Sequence, residues 1–184
     1  MDSEFIEDGS TIELISIGIV AEDGREFYAI NWNCDFTKAN DWVKANVLPH
    51  LPFCPIDRPA KGQGLWQSRS DIKNAIASFV GCEYKGGKSP HYALKEGIQK
   101  PEFWTYYGSY DWVVFCQLFG AMIDLPKGLP MYTNDIKQWC KQLGDPELPK
   151  QGKGEHNALA DAHWNKQAWE FLRTFEEDCV VERG

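Results

Sequence analysis

The densest apolar run in the chain is IELISIGIV (12–20), apolar on both faces as expected of a central strand covered by helices. DSEFI (2–6) before it reads as a short strand. REFYAINW (25–32) after it reads as a third, joined by the hairpin signal Asp23-Gly24. The chain is therefore expected to open with a three-strand antiparallel meander. The period then changes. TKANDWVKANVL (37–48) predicts a helix with Trp42, Val43 and Val47 on one side, stopped by Pro49, and prolines 49, 52, 55 and 59 mark an irregular connection. SRSDIKNAIASFVG (68–81) predicts a helix capped by Ser70, ended by Gly81 and carrying Ile72, Ala75, Ile76, Phe79 and Val80 at helical spacing. CEYKGGKSPHYALKEGIQK reads as a loop-rich insertion at about 81–100 with Lys85, Lys88, Lys95 and Lys100. EFWTYY (102–107) is a fourth strand, YDWVVFCQLFG (110–120) and NDIKQWCKQLG (134–144) are helices, and HNALADAHWNKQAWEFLRTF (156–175) is the last helix. A meander followed by alternating helices and strands predicts an α/β layered fold with a mixed central sheet, its later strands parallel, flanked by helices. Without internal repeats, the 184 residues are expected to form one domain.

Composition adds few constraints. The net charge of -8 argues against a protein that holds nucleic acid by backbone charge alone, but not against one whose acids gather cations. No apolar run approaches a membrane span, and the N-terminus lacks a signal-peptide pattern. The six cysteines (Cys34, Cys54, Cys82, Cys116, Cys140 and Cys179) are scattered without a C-x-x-C pair, which predicts a reducing, cytoplasmic setting and no zinc site. Cys116 and Cys140 are expected to be core thiols, and most of the eight tryptophans are expected in the core.

Three groups of acids stand out. Asp2 and Glu4, at i and i+2 of a strand, project to the same face. They repel each other unless a cation lies between them, and magnesium or manganese takes such oxygen ligands. Asp111 opens a helix, where its charge is favoured by about 0.3–1 kcal/mol. His156 and Asp161 in EHNALADAH stand five residues apart, about 140° apart on a helix, so they converge only if His156 lies on the entry loop, which Gly152 and Gly154 permit. Ala158, Ala160 and Ala162 around Asp161 suit close packing on a sheet.

D-x-E on the first strand, D at a strand-to-helix junction and H-x-x-x-x-D on a late helix resemble, in that order, the DEDDh group of 3′–5′ exonucleases. DSEFIEDGSTIELISIGIVAEDGREFYA, YGSYDWVVFCQLFG and HNALADAHWN are similar to the small bacterial and phage 3′–5′ exoribonucleases. The resemblance implies a ribonuclease H-like fold and two divalent cations, Mg²⁺ or Mn²⁺. It implies Asp2 nearest both, Glu4 and Asp161 on the one that binds the attacking water, Asp111 supporting the other, and His156 as general base. The implied partner is an RNA 3′ end, single-stranded or an overhang, and the implied product a nucleoside 5′-monophosphate. A homodimer rests on the same analogy. Phe5 is a candidate for packing on the terminal base, and Trp66 with Arg69 for stacking a base or holding phosphate. The rivals are a DNA exonuclease of the same group and a non-catalytic nucleic-acid or nucleotide-binding module. The family carries several strand residues ahead of the D-x-E, whereas here Met1 alone precedes Asp2. A clipped first strand is therefore expected, whether the chain is brief or starts upstream.

Overall fold

Strand β2 (Ile12–Val20) lies between β1 (Asp2–Glu7) and β3 (Glu26–Asn31), antiparallel to both. The computed structural model describes residues 1–53, 64–87, 90–152 and 154–181, with side chains described as far as Cys179. Cys54, Pro55, Pro59 and Lys88 lie outside the described residues. A fourth strand, β4 (Trp66–Gln67), runs parallel to β3 and makes the sheet mixed, in the order β1-β2-β3-β4.

A register shift shapes the site. Glu4 lies opposite Ser16 and Phe5 opposite Leu14, so Ile15 is left unpaired as a bulge. Ser3 and Phe5, opposite Ile17 and Leu14, therefore belong to the face packed by α2 (Arg69–Phe79) and α3 (Ser109–Phe119), in a core with Ile72, Ile76 and Phe115. Ile6 turns with Ile15 to the other face, against Val43 and Val47 around α1 (Asp41–Asn46). Asp2 and Glu4 share the face of Ile6 by strand alternation. A third core joins α4 (Ile136–Gln142) to the long α5 (Ala158–Val181) through Ile136, Cys140, Ala168 and Leu172.

Several elements differ from the sequence expectation. The cap of α2 is Ser68, whose hydroxyl exchanges hydrogen bonds with Asp71, rather than Ser70. The insertion at 81–100 carries an antiparallel hairpin, β5 (Cys82–Lys85) with β6 (His91–Leu94). The expected strand 102–107 shortens to β7 (Trp104–Thr105), because Tyr107 turns to φ 55°. It pairs in parallel with β8 (Asn134–Asp135) as a separate two-stranded sheet. Trp112 is the one tryptophan fully in the core; Trp42 is 54% exposed, and the others are half-buried. The buried stripe of α1 runs through Val43 and Val47, while Trp42 lies about 100° round the helix.

The short approach to Asp2 is well anchored. Met1 is buried, its nitrogen donates to the Trp104 carbonyl at 2.7 Å, and its carbonyl accepts from Asn165 Nδ2 at 3.0 Å. Asp2 itself pairs with Gly18.

Candidate active site

Asp2, Glu4 and Asp161 converge: each offers a carboxylate oxygen, and these oxygens all lie within 4.8 Å of one another. Two come from one face of β1 and the third from the first turn of α5. Gly18 allows that approach. A Cβ there would lie 2.2 Å from the carbonyl oxygen of Ala158, so only glycine lets the start of α5 lie directly on β2 beside Asp2. Asn157 caps α5, its Oδ1 accepting from Ala160 N at 3.1 Å. The helix thus begins two residues later than expected and leaves His156 on the loop, at φ 68°.

Asp161 is held on both oxygens. Gln151 Nε2 donates to Oδ1, and the His156 backbone N–H donates to Oδ2 at 2.9 Å. The backbone of His156 therefore converges on Asp161, while its imidazole stands edge-on to Trp42 with ring centroids 4.8 Å apart. An open cleft of about 680 Å³ continues from there, lined by Asn46 and His50 on one side and Gln151, Gly152, Gly154, Glu155 and His156 on the other. Trp42, Asn46 and His50 recur every four residues along one side of the chain.

Asp111, the third residue of α3, is buried and lies outside the three-oxygen group; its Oδ1 accepts from Ser3 N at 2.7 Å and Ser3 Oγ at 2.6 Å. Its charge nevertheless reaches the group. Burial raises Asp2 well above the ordinary carboxylate range, and Asp111, Asp161 and Glu4 add repulsion. Glu4 is pushed up to about 8, first by burial, then by the charges of Asp161 and Asp111 and a hydrogen bond shared with Asp161. Burial also raises Asp111 and Asp161, against the hydrogen bonds each accepts. Partly buried carboxylates that repel one another form an oxygen-only donor set, which fits hard divalent cations such as Mg²⁺ or Mn²⁺.

A pH dependence follows. The ordinary Glu4 value of 4.5 is raised to about 8 on folding, so its contribution to stability is fully present below 4.5 and lost as pH rises through about 8. Metal-free protein should melt progressively lower across that window. Added Mn²⁺, which displaces the protons, should raise the melting temperature more at about pH 8.5 than at about pH 5. Thermal melts with Mn²⁺ and with chelator check this; an equal rise at both pH values would contradict it.

The other sequence candidates lie outside the three-carboxylate group. Phe5 stacks on the exposed Tyr110, centroids 5.7 Å apart and planes at 27°. Trp66 is in register with Glu4 but three strands away, roughly 14 Å, and stands edge-on to Trp32 and Phe36. Arg69 spends a guanidinium nitrogen on the Gln117 carbonyl at 2.6 Å. Sequence reasoning missed Ser3, Gly18, Trp42 and Gln151. A lone glycine inside a β-branched strand was an available signal for close backbone approach; Gln151 in its polar loop offered none.

Residues 1–173 match the family described as the 3′-5′ exoribonuclease Rv2179c-like domain. The chain belongs to this family. It is 41% identical over 161 residues to the 3′-5′ exoribonuclease Rv2179c of Mycobacterium tuberculosis (strain ATCC 25618 / H37Rv), a match that covers 88% of this chain and 84% of the relative. The 3′-5′ exoribonuclease MT2234.1 of strain CDC 1551 / Oshkosh matches to the same extent. Within this Rv2179c-like chain, the matched span contains all five acid and histidine positions of the motif set.

Proposed function

We propose that this member of the Rv2179c-like family is a two-metal 3′–5′ exoribonuclease on a ribonuclease H-like fold. It removes nucleoside 5′-monophosphates from a single-stranded or overhanging RNA 3′ end. The observation that carries the reading is the convergence of Asp2, Glu4 and Asp161 within 4.8 Å. Asp2, Glu4 and Asp161 would hold the cations, with Asp111 as the fourth acid. Bound there, divalent cations supply water acidified near neutral pH and screen the charge of the transferring phosphoryl group. The His156 imidazole takes the proton from the attacking water. Water oxygen adds to phosphorus, the bond to the preceding 3′ oxygen breaks, and the released nucleoside keeps its phosphate on the 5′ carbon. Tyr110, backed by Phe5, offers an open ring on which the terminal base can stack.

The test is 3′-labelled single-stranded RNA with Mg²⁺ or Mn²⁺, beside a chelated control and a matched DNA. Labelled 5′-monophosphate released from RNA only with metal is the expected result. Equal release with chelator would overturn the two-metal mechanism, and faster release from DNA would favour the rival DNA exonuclease. Replacing His156 with alanine should lower turnover about 10²-fold or more while Mn²⁺ binding, measured by calorimetry, stays near wild type. A loss of Mn²⁺ affinity as large as that from Asp2→Ala would contradict the role as base.

A cytoplasmic setting fits the five described cysteines, all free thiols. No helix among the described residues is long and apolar enough to cross a membrane. A homodimer remains part of this reading and is checked by the mass of the protein in solution.

A further inference from the structure

We propose that Ser3, the residue between the first two acids, is a positioning residue for Asp111. Its hydroxyl and its backbone N–H together fix one carboxylate oxygen, and with it the orientation of the carboxylate as a whole. The proposal rests on the metal-holding reading above. Ser3 Oγ donates to Asp111 Oδ1 at 2.6 Å and Ser3 N donates to the same oxygen at 2.7 Å, across 108 residues of sequence. Both residues are buried, at 5% and 6% exposure, so no bulk water competes for these bonds. A hydroxyl has one proton to give, and here it is given to Asp111.

The geometry explains why the hydroxyl matters beyond satisfying a buried group. The terminal torsion of an aspartate is broad and roughly two-fold, so a single donor leaves the carboxylate free to rock or exchange its oxygens. Two donors from one residue, converging on one oxygen, remove that freedom. The backbone donor belongs to β1 itself, between the acids that complete the cluster. Ser3 therefore ties the α3 acid to the strand that carries Asp2 and Glu4, and fixes one carboxylate relative to the others. The two bonds also pull the Asp111 pKa down against the upward push of burial. Groups that orient a metal-holding side chain in this way are typically worth about 10–100-fold in metal affinity or activity. Alanine would remove only the hydroxyl, so the lower end of that range is expected.

The experiment is calorimetric titration of the full chain with Mn²⁺, for wild type, Ser3→Ala, Ser3→Cys, Ser3→Thr, Asp111→Asn and the double variant Ser3→Ala/Asp111→Asn, each checked for folding by circular dichroism. Ser3→Ala should weaken one Mn²⁺ binding event about 10-fold. Ser3→Thr, which keeps the hydroxyl and suits a strand, should restore it, and in the Asp111→Asn background Ser3→Ala should add no further loss. Should Ser3→Ala fail to fold, Ser3→Cys, close in shape but a poor donor, carries the same expectation. A folded Ser3→Ala or Ser3→Cys with wild-type affinity overturns the proposal, as does a loss that persists in Ser3→Thr or adds fully to Asp111→Asn. A wild type that binds no Mn²⁺ overturns the metal-holding reading as well, which separates that failure from the failure of Ser3 alone.

Discussion

Asp161→Ala is expected to leave a folded protein that degrades 3′-labelled RNA about 10³-fold more slowly or worse and has lost Mn²⁺ affinity. The rate estimate follows from charge stabilisation of several kcal/mol at a metal-assisted phosphoryl transfer, with each 1.4 kcal/mol equal to about tenfold. Folding should survive because Asp161 is an unfavourable charge in the metal-free protein. Burial raises its pKa despite the hydrogen bonds from Gln151 and His156, and it raises Glu4 in turn. Deleting it relieves that repulsion, so the metal-free melting temperature should be no lower than that of wild type. A purely structural aspartate would behave oppositely, with a clear fall in melting temperature. Thermal melts with chelator and turnover with Mn²⁺, measured on the same preparation, decide between the two. Activity within tenfold of wild type would remove Asp161 from the site.

Gly18→Ala should also have a large effect, on stability and rate together, although it changes no acid. The added carbon would lie 2.2 Å from Ala158 O, 2.5 Å from Ala158 C and 2.6 Å from Leu159 Cα. All are backbone atoms, so no rotamer change makes room, and the start of α5 must retreat by about 1 Å to restore ordinary contact. Overpacking of this kind costs about 1–3 kcal/mol of stability. A displacement of that size in a reacting constellation can cost about 10²-fold in rate. The expectation is a stable but poorly active enzyme whose Mn²⁺ affinity is also reduced, because Asp161 withdraws with the helix. Gly86→Ala, where a Cβ would meet nothing within 4 Å, is the control and should match wild type in melting and turnover. Full activity in Gly18→Ala would show that the position of α5 on β2 does not set the site.

The parts of the fold that were readable in the sequence are those governed by short-range chemistry. β2 announces itself by an unbroken apolar run, and Asp23-Gly24 sets the turn that makes the meander. The three acids that meet were legible as D-x-E on a strand and as an aspartate among alanines. Most of what failed depended on partners distant in sequence, the cap of α2 being the local exception. Ser68 and Ser70 are equally good caps by type; the reciprocal bond to Asp71 selects Ser68, and the S-x-x-D spacing did contain that information. The hairpin in 81–100 was hidden because Gly86, Gly87 and several lysines mask its alternation, and its β6 strand also bonds to Lys127. Trp42 was misplaced because 42, 43 and 47 look like one stripe when the burying surface is unknown. The structure divides them into an inward Val43–Val47 edge and an outward Trp42 beside His156. The Ser3–Asp111 pair spans 108 residues and leaves no local trace.

The left-handed backbone of His156 bears on any effort to harden this protein against heat. At φ 68° a non-glycine residue carries a steric cost of roughly 1–2 kcal/mol, which glycine would relieve. Selection for thermal resistance alone should therefore enrich His156→Gly, since its backbone N–H could still reach Asp161. On the proposed role of His156 as base, such a variant would survive heating while losing most turnover, so stability and turnover need to be selected together at this position.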